Sequence, residues 1–298
     1  MVLWTITTAK KVKIQAPKKK ILYIAQEIAP YHVESLGDYS SVLPLGMLER
    51  GTDIRVFMPN YGSINERRHQ LHEVIRLSGV NQTVNDHVYP LIVKVANLMP
   101  QRMQVYFIDS AELFSARKEG SVRDGSGEPF KDNAERSVFF LRGVFETIRK
   151  LHWVPDIIHC QGWFSGLAPL FLRTQLKDDP AFASAKVVFS LYDKMTEVPF
   201  GKNLPGVLKY EEISHPLLTE GTALSRENLY KLILQYVDAI VLSSDEIHSS
   251  LKSLVDDAGV KSIEYIPNET PISVIKEFYE ELLKQPQTPP DRKKDSNL

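Results

Sequence analysis

Short, unbroken apolar runs alternate with amphipathic helical stretches along most of this chain, and that alternation leaves few folds open. ILYIA (21–25), PDIIHC (155–160), KVVFSLY (186–192) and AIVLSS (239–244) lack the apolar–polar alternation of a half-solvated sheet, and DIRVFMP (53–59) and SIEYIP (262–267) read as further short strands. Strands of that kind are buried on both faces, so they belong to a parallel sheet covered by helices on each side. The spacing predicts helices between them. Leu36, Val42, Leu43, Leu45 and Leu48 share a broad face, with Gly51 placed to end the helix. A longer helix runs from Asn133 to Leu151, and others cover WFSGLAPLFLRTQL (163–176), the stretch into AIVLSS, SDEIHSSLKSLVDDAG (244–259, with a Ser or Asp N-cap) and PISVIKEFYEELLK (271–284). A strand, a helix and a strand within about 40 residues is a βαβ unit with a right-handed crossover.

Six or seven such strands make one α/β, Rossmann-like, doubly wound, mostly parallel sheet, expected over residues 20–284. YPLIVKVAN (89–97) and RMQVYFID (102–109) read as adjacent strands of a hairpin or local β excursion. The Gly-, Asp- and charge-rich stretch 113–136 reads as an exposed loop. Residues 1–19 read as a basic flexible arm and the polar, Pro-containing 285–298 as a disordered tail.

The totals exclude several function classes. A formal net charge of -1 in 298 residues gives no electrostatic footprint for nucleic acid or a membrane surface. The single cysteine, Cys160, cannot form an internal disulfide and reads as a small buried hydrophobe. No apolar stretch reaches the roughly 18 to 20 residues that span a bilayer, and the N-terminus lacks the pattern of a signal peptide. The expected location is the cytoplasm. Ligands in a doubly wound sheet bind at the carboxyl ends of the strands, so the loops of interest follow Ala25, Met58, His159, Leu191 and Leu242.

Those loops carry a resemblance. KKILYIAQEIAP, LGDYSSVLPLGMLERGTDIRVFMPNYG, VYFIDSAELF, DNAERSVFFLRGVFETIRKLHWVPDIIHCQGWFSGLAPLFLR and KVVFSL occur in the same order as in bacterial glycogen and starch synthases. From about Lys19 to about Asn268 the chain resembles the N-terminal catalytic domain of that family. YGSINERRHQLHEVIRLSG (61–79) also resembles a short, single-domain branch of glycogen synthases. The resemblance implies one half of a GT-B fold, in which two Rossmann-like domains face each other across a cleft. It implies metal-free glucosyl transfer, with retention, from ADP-glucose as donor substrate to an α-1,4-glucan, and no cofactor. The N-terminal domain would present the glucan, and the C-terminal domain most of the sugar nucleotide.

The sequence departs from the family pattern at the expected site. Where the family reads KTGGLAD after the first strand, this chain reads HVESLGD, so the Lys and paired glycines that meet a diphosphate are missing and Glu34 adds negative charge. HxHDW becomes HCQGW: His159 and Trp163 remain, and Gln161 and Gly162 replace the sugar-lining His and Asp. TIHN becomes SLYD, with Tyr192 and Asp193 in place of His and Asn. Gln161 can hydrogen-bond a hydroxyl but cannot act as a general acid or base. About 30 residues follow Asn268, too few for a second βαβ array, so the second Rossmann domain is expected to be absent.

The residues expected to contact substrate are therefore Tyr31, Asp38, His159, Gln161, Trp163, Tyr192 and Asp193, with no catalytic residue named and no metal ligand expected. Each also has a structural reading. His159 fits a satisfied core histidine, and Trp163 a helix residue packed on the core. Tyr31 and Tyr192 suit a sugar-facing surface. Asp38 could cap its helix, as Asp132 or Asn133 could cap the long one, with carbohydrate contact the rival role. His69, His72 and Glu73 would share a metal only on a helix, and a solvated face is the simpler account. The partners implied are α-glucan or a sugar nucleotide, and a second chain or second copy completing the cleft. Three roles stay open: glucosyl transfer, non-catalytic glucan binding or partner docking, and one half of a split glycosyltransferase.

Overall fold

The computed structural model describes residues 18–32, 34, 36, 39–192, 197–243 and 247–286. Seven parallel strands form its centre: β1 (Lys20–Ala25), β2 (Asp53–Pro59), β6 (Met103–Asp109), β7 (Ile157–Gln161), β8 (Lys186–Leu191), β9 (Ala239–Leu242) and β10 (Lys261–Glu264). β3 (His72–Glu73), β4 (Val80–Val84) and β5 (His87–Leu98) add an antiparallel edge, and the sheet order is β10-β9-β8-β7-β1-β2-β6-β5-β3 with β4 paired to β5. The expected mostly parallel, doubly wound α/β sheet is present, and the two runs read as a hairpin are the antiparallel β5–β6 pair.

The central strands are mostly apolar, and the polar side chains that lie in them, such as His159, Gln161 and Ser190, are hydrogen-bonded. Every residue of β7, β8 and β9 is buried, as are five of the six in β1. Removing a large apolar side chain from water stabilises by about 1.5–3 kcal/mol. The helices are α1 (Tyr39–Glu49), α2 (Asn133–Lys150), α3 (Ala168–Arg173), α4 (Leu204–Tyr210), α5 (Arg226–Tyr236), α6 (Ser249–Asp257) and α7 (Ile272–Lys284). α1 and α7 pack together, so closely that a Cβ on Gly46 would lie 2.6 Å from Ile272. α2 lies against β6 and α4, and α3 against α5.

Some local expectations change. The stretch after β7 opens with a 3-10 turn, Trp163–Ser165, before α3 begins. α6 starts at Ser249, and its N-cap is His248, whose ring nitrogen accepts the Ser250 N–H; the expected Ser or Asp start falls on 244–246, outside the described residues. His69, His72 and Glu73 share no helix, because His72 and Glu73 form β3 and His69 lies in the preceding turn. Stretch 113–136 is not wholly exposed: Leu113, Phe114, Ser121, Val122, Asn133 and Arg136 are buried. Asp132 takes the N-cap position of α2 without a side-chain capping bond, and Asn133 is the first residue of the helix. Asp132 pairs with Arg117, while Asn133 Nδ2 donates to the Val122 and Pro199 carbonyls. The expected arm (residues 1–17 of it) and tail (287–298) lie outside the described residues.

Candidate functional site

The strand order reverses direction between β1 and β7: β1, β2 and β6 run outward one way, and β7 to β10 the other. In an open α/β sheet that reversal leaves a crevice at the carboxyl ends, where ligands bind. Here the crevice carries Gln26, just after β1, and Gln161 and Gly162 at the end of β7. Gln26 fills it. Its Oε1 accepts the Trp163 N–H at 2.8 Å, so it caps the 3-10 turn whose free N–H groups would otherwise face a ligand. Gly162 has φ +87, and a Cβ there would lie 2.5 Å from Gln26 Cβ.

Three of the residues expected to touch substrate gather beside this lock, inside the protein. His159, Gln161 and Tyr192 are all buried. The Tyr23 hydroxyl donates to Gln161 Oε1, and the Tyr23 ring stacks on His159. His159 Nδ1 is hydrogen-bonded by Tyr279 of α7, and Nε2 lies 2.7 Å from Ser190 Oγ. Ser190 and Ser243 engage the Tyr192 hydroxyl. α7 thus covers a buried polar network. Burial pushes the His159 pKa down to about 3, so the ring is neutral at ordinary pH. Burial likewise pushes Tyr192 and Cys160 well up.

Trp163 and Tyr31 pack into the core. Trp163 is buried against Tyr230, with centroids 5.5 Å apart. Tyr31 is buried edge-on to Phe107 and His69, and burial raises its pKa to about 12. Asp38 and Asp193 lie outside the described residues.

The loop after β1 is held by carboxylates. Glu27, fully buried, accepts the Glu34 N–H at 3.1 Å and the Leu36 N–H at 2.6 Å. Glu34 accepts both the N–H and the hydroxyl of Ser121, and its Oε2 lies 3.5 Å from His32 Nε2. Burial alone would raise the Glu34 pKa, but His32 and the Ser121 N–H outweigh it and hold the carboxyl below its usual value. Nearby Arg123 is engaged by Glu197 and the Gly127 carbonyl.

Among the described residues a groove of about 680 Å³ lies between the loop after β6 and the segment after β8. Asp124, Glu128, Pro129, Phe130, Lys131 and Val198 contribute to its walls. Asn133 staples the two sides through the Val122 and Pro199 carbonyls, and Asn203 adds a bond to Glu135. Arg136 stiffens the base: it is buried, donates to the Leu113 carbonyl, and sits 4.9–5.3 Å from the ring centres of Phe114, Phe130 and Phe164. These groove residues carry no sequence signal, because a Gly- and charge-rich stretch has no periodicity to mark which side chains turn inward.

Residues 20–261 match the model of a family described as starch synthase catalytic domain. The chain belongs to that family. Among its relatives, the glycogen synthase of Chlorobium limicola is 35% identical over 209 residues, covering 68% of this chain and 41% of that protein. The glycogen synthase of Chlorobaculum tepidum is 33% identical over 240 residues, covering 80% and 48%. This chain therefore spans less than half the length of either relative. The catalytic domain of starch synthase IV from Arabidopsis thaliana, solved with ADP and acarbose, superposes with a TM-score of 0.64 at 16% identity over 84% of this chain and 52% of that one. The fold is accordingly one half of the GT-B arrangement of starch synthases. Among the described residues no helix is long and apolar enough to cross a membrane.

Proposed function

We propose that this glycogen/starch-synthase-like chain serves the acceptor side of glucosyl transfer: it holds α-glucan, and any ADP-glucose contacts come from another domain or chain. The observation that carries this reading is the loop after β1. A diphosphate calls for cationic donors or free backbone N–H groups. In this loop the N–H groups of Glu34 and Leu36 are taken by the Glu27 carboxylate, and Glu34 adds a second carboxylate. A charge-assisted hydrogen bond contributes about 1.5–3 kcal/mol, so replacing one by a like charge removes roughly one to two decades of nucleotide affinity. The groove suits a glucan better, since carboxylates accept sugar hydroxyls and apolar walls cover ring C–H faces.

Calorimetric titration of the purified chain with ADP-glucose and, separately, with a maltooligosaccharide tests the reading. Saturable binding of the oligosaccharide without nucleotide binding is the expected result. Micromolar ADP-glucose binding by the chain alone would contradict it.

A further inference from the structure

We propose that Glu27, His32 and Glu34 form a binding site for one divalent cation of the zinc class, at the carboxyl end of β1. One ligand atom from each residue lies within 4.8 Å of the other two. An imidazole and two carboxylates, with further positions left for water, form a donor set suited to zinc in an open site.

The observation that points to a ligand is the state of the imidazole. Only 10% of the His32 side chain is exposed, and its Nε2 is buried without a hydrogen-bond partner. The separation of 3.5 Å between Nε2 and Glu34 Oε2 is long for a hydrogen bond. The other nitrogen, Nδ1, lies 3.0 Å from Ser63 Oγ. With Nδ1–H donating to that hydroxyl, Nε2 turns its lone pair toward two carboxylates. A cation between the three groups satisfies all of them, and an acceptor on the far ring nitrogen, here the Ser63 hydroxyl, orients a metal-bound imidazole.

The rest of the cluster is already in place. Glu27 is fixed by the Glu34 and Leu36 N–H groups, and Glu34 by Ser121. The Tyr61 ring packs against His32 with centroids 4.7 Å apart. Bond lengths near 2.0–2.2 Å bring tetrahedral ligand atoms to about 3.3 Å apart. Glu34 can supply the closing movement, because 31% of its side chain is exposed, and that same exposure gives the ion an entrance. Two carboxylates and a dication sum to zero beside a neutral imidazole, so loading also removes the like-charge crowding of this loop. None of this depends on what the groove binds.

The test is a calorimetric Zn²⁺ titration of the chelator-treated chain, alongside His32→Gln, Glu34→Gln and Ser63→Ala. All three leave Glu27, which ties down the loop N–H groups, intact. One Zn²⁺ per chain is expected, with affinity reduced at least about 10-fold in each variant. Zn²⁺ should also raise the thermal midpoint of the unaltered chain more than that of His32→Gln. Absence of saturable one-to-one binding by the folded chain would overturn the proposal, as would equal affinity in His32→Gln and Glu34→Gln.

Discussion

Gln26 and Gly162 interlock across the boundary between β1 and β7, with the glycine backbone at φ +87 and only 2.5 Å available between Gln26 Cβ and a Cβ placed on Gly162. That contact closes the crevice where a doubly wound sheet ordinarily admits a ligand. Gly162→Ala is therefore expected to destabilise the chain by about 1–3 kcal/mol, from backbone strain together with the clash. Gly162→Asp, which restores the family's residue type, should cost at least as much, and Gln26→Gly combined with it should recover part of the loss. Urea denaturation of the three variants measures this. A Gly162→Asp chain as stable as the unaltered one would show that the crevice is not locked.

His159 gives the chain a pH dependence of predictable sign. The folded state keeps the ring neutral down to about pH 3, whereas the unfolded chain takes up a proton near the ordinary value of 6.5. The unfolded state binds the extra proton between these values, so stability present above about pH 6.5 is lost as pH falls toward 3. Each pH unit below the unfolded value removes about 1.4 kcal/mol. His159→Gln should lower stability at pH 7.5 through its lost bonds to Tyr279 and Ser190. It should also flatten the decline between pH 7.5 and pH 5 by about 2 kcal/mol. Denaturation curves at the two pH values check both effects, and an unchanged slope would place the His159 proton elsewhere.

The strands and long helices were legible because burial on both faces and a 3.6-residue period write themselves into composition. The site was legible only in part. The HCQGW stretch located the end of β7, yet the sequence could not tell that His159 turns toward α7, since Tyr279 lies 120 residues away. Gln26 gave no signal, because capping a turn at residue 163 is a long-range act of a residue type without a motif. Asn133 was legible as a helix start but not as a staple, since its partners are main-chain carbonyls of two separate loops. Glu34 was read as a negative charge near a phosphate position, but its bond to Ser121 depends on how the loop after β6 folds back.

Lys94 links the antiparallel edge to β6. Its ammonium donates to Glu66 at 2.6 Å and to Asp109 at 3.1 Å, and the Asp109 side chain is 1% exposed. Lys94→Met removes the cation beside that carboxylate and leaves it the Asn60 amide, with an expected loss of about 3–5 kcal/mol, and adding Asp109→Asn should restore a large part of it. Urea midpoints of the single and double variants measure the coupling. Additive losses would mean that the pair does not act as a unit.

In the proposed function, the groove between the loop after β6 and the segment after β8 holds α-glucan. Glu128 and Lys131 line it from exposed positions, so their truncation spares the fold. The most direct measurement is mobility in native gels with and without glycogen, for the unaltered chain and for Glu128→Ala/Lys131→Ala. Glycogen should retard the unaltered chain and retard the double variant less, with apparent affinity reduced by roughly 10-fold for two lost hydrogen bonds. Equal mobility of the unaltered chain with and without glycogen, or equal retardation of both proteins, would contradict the account.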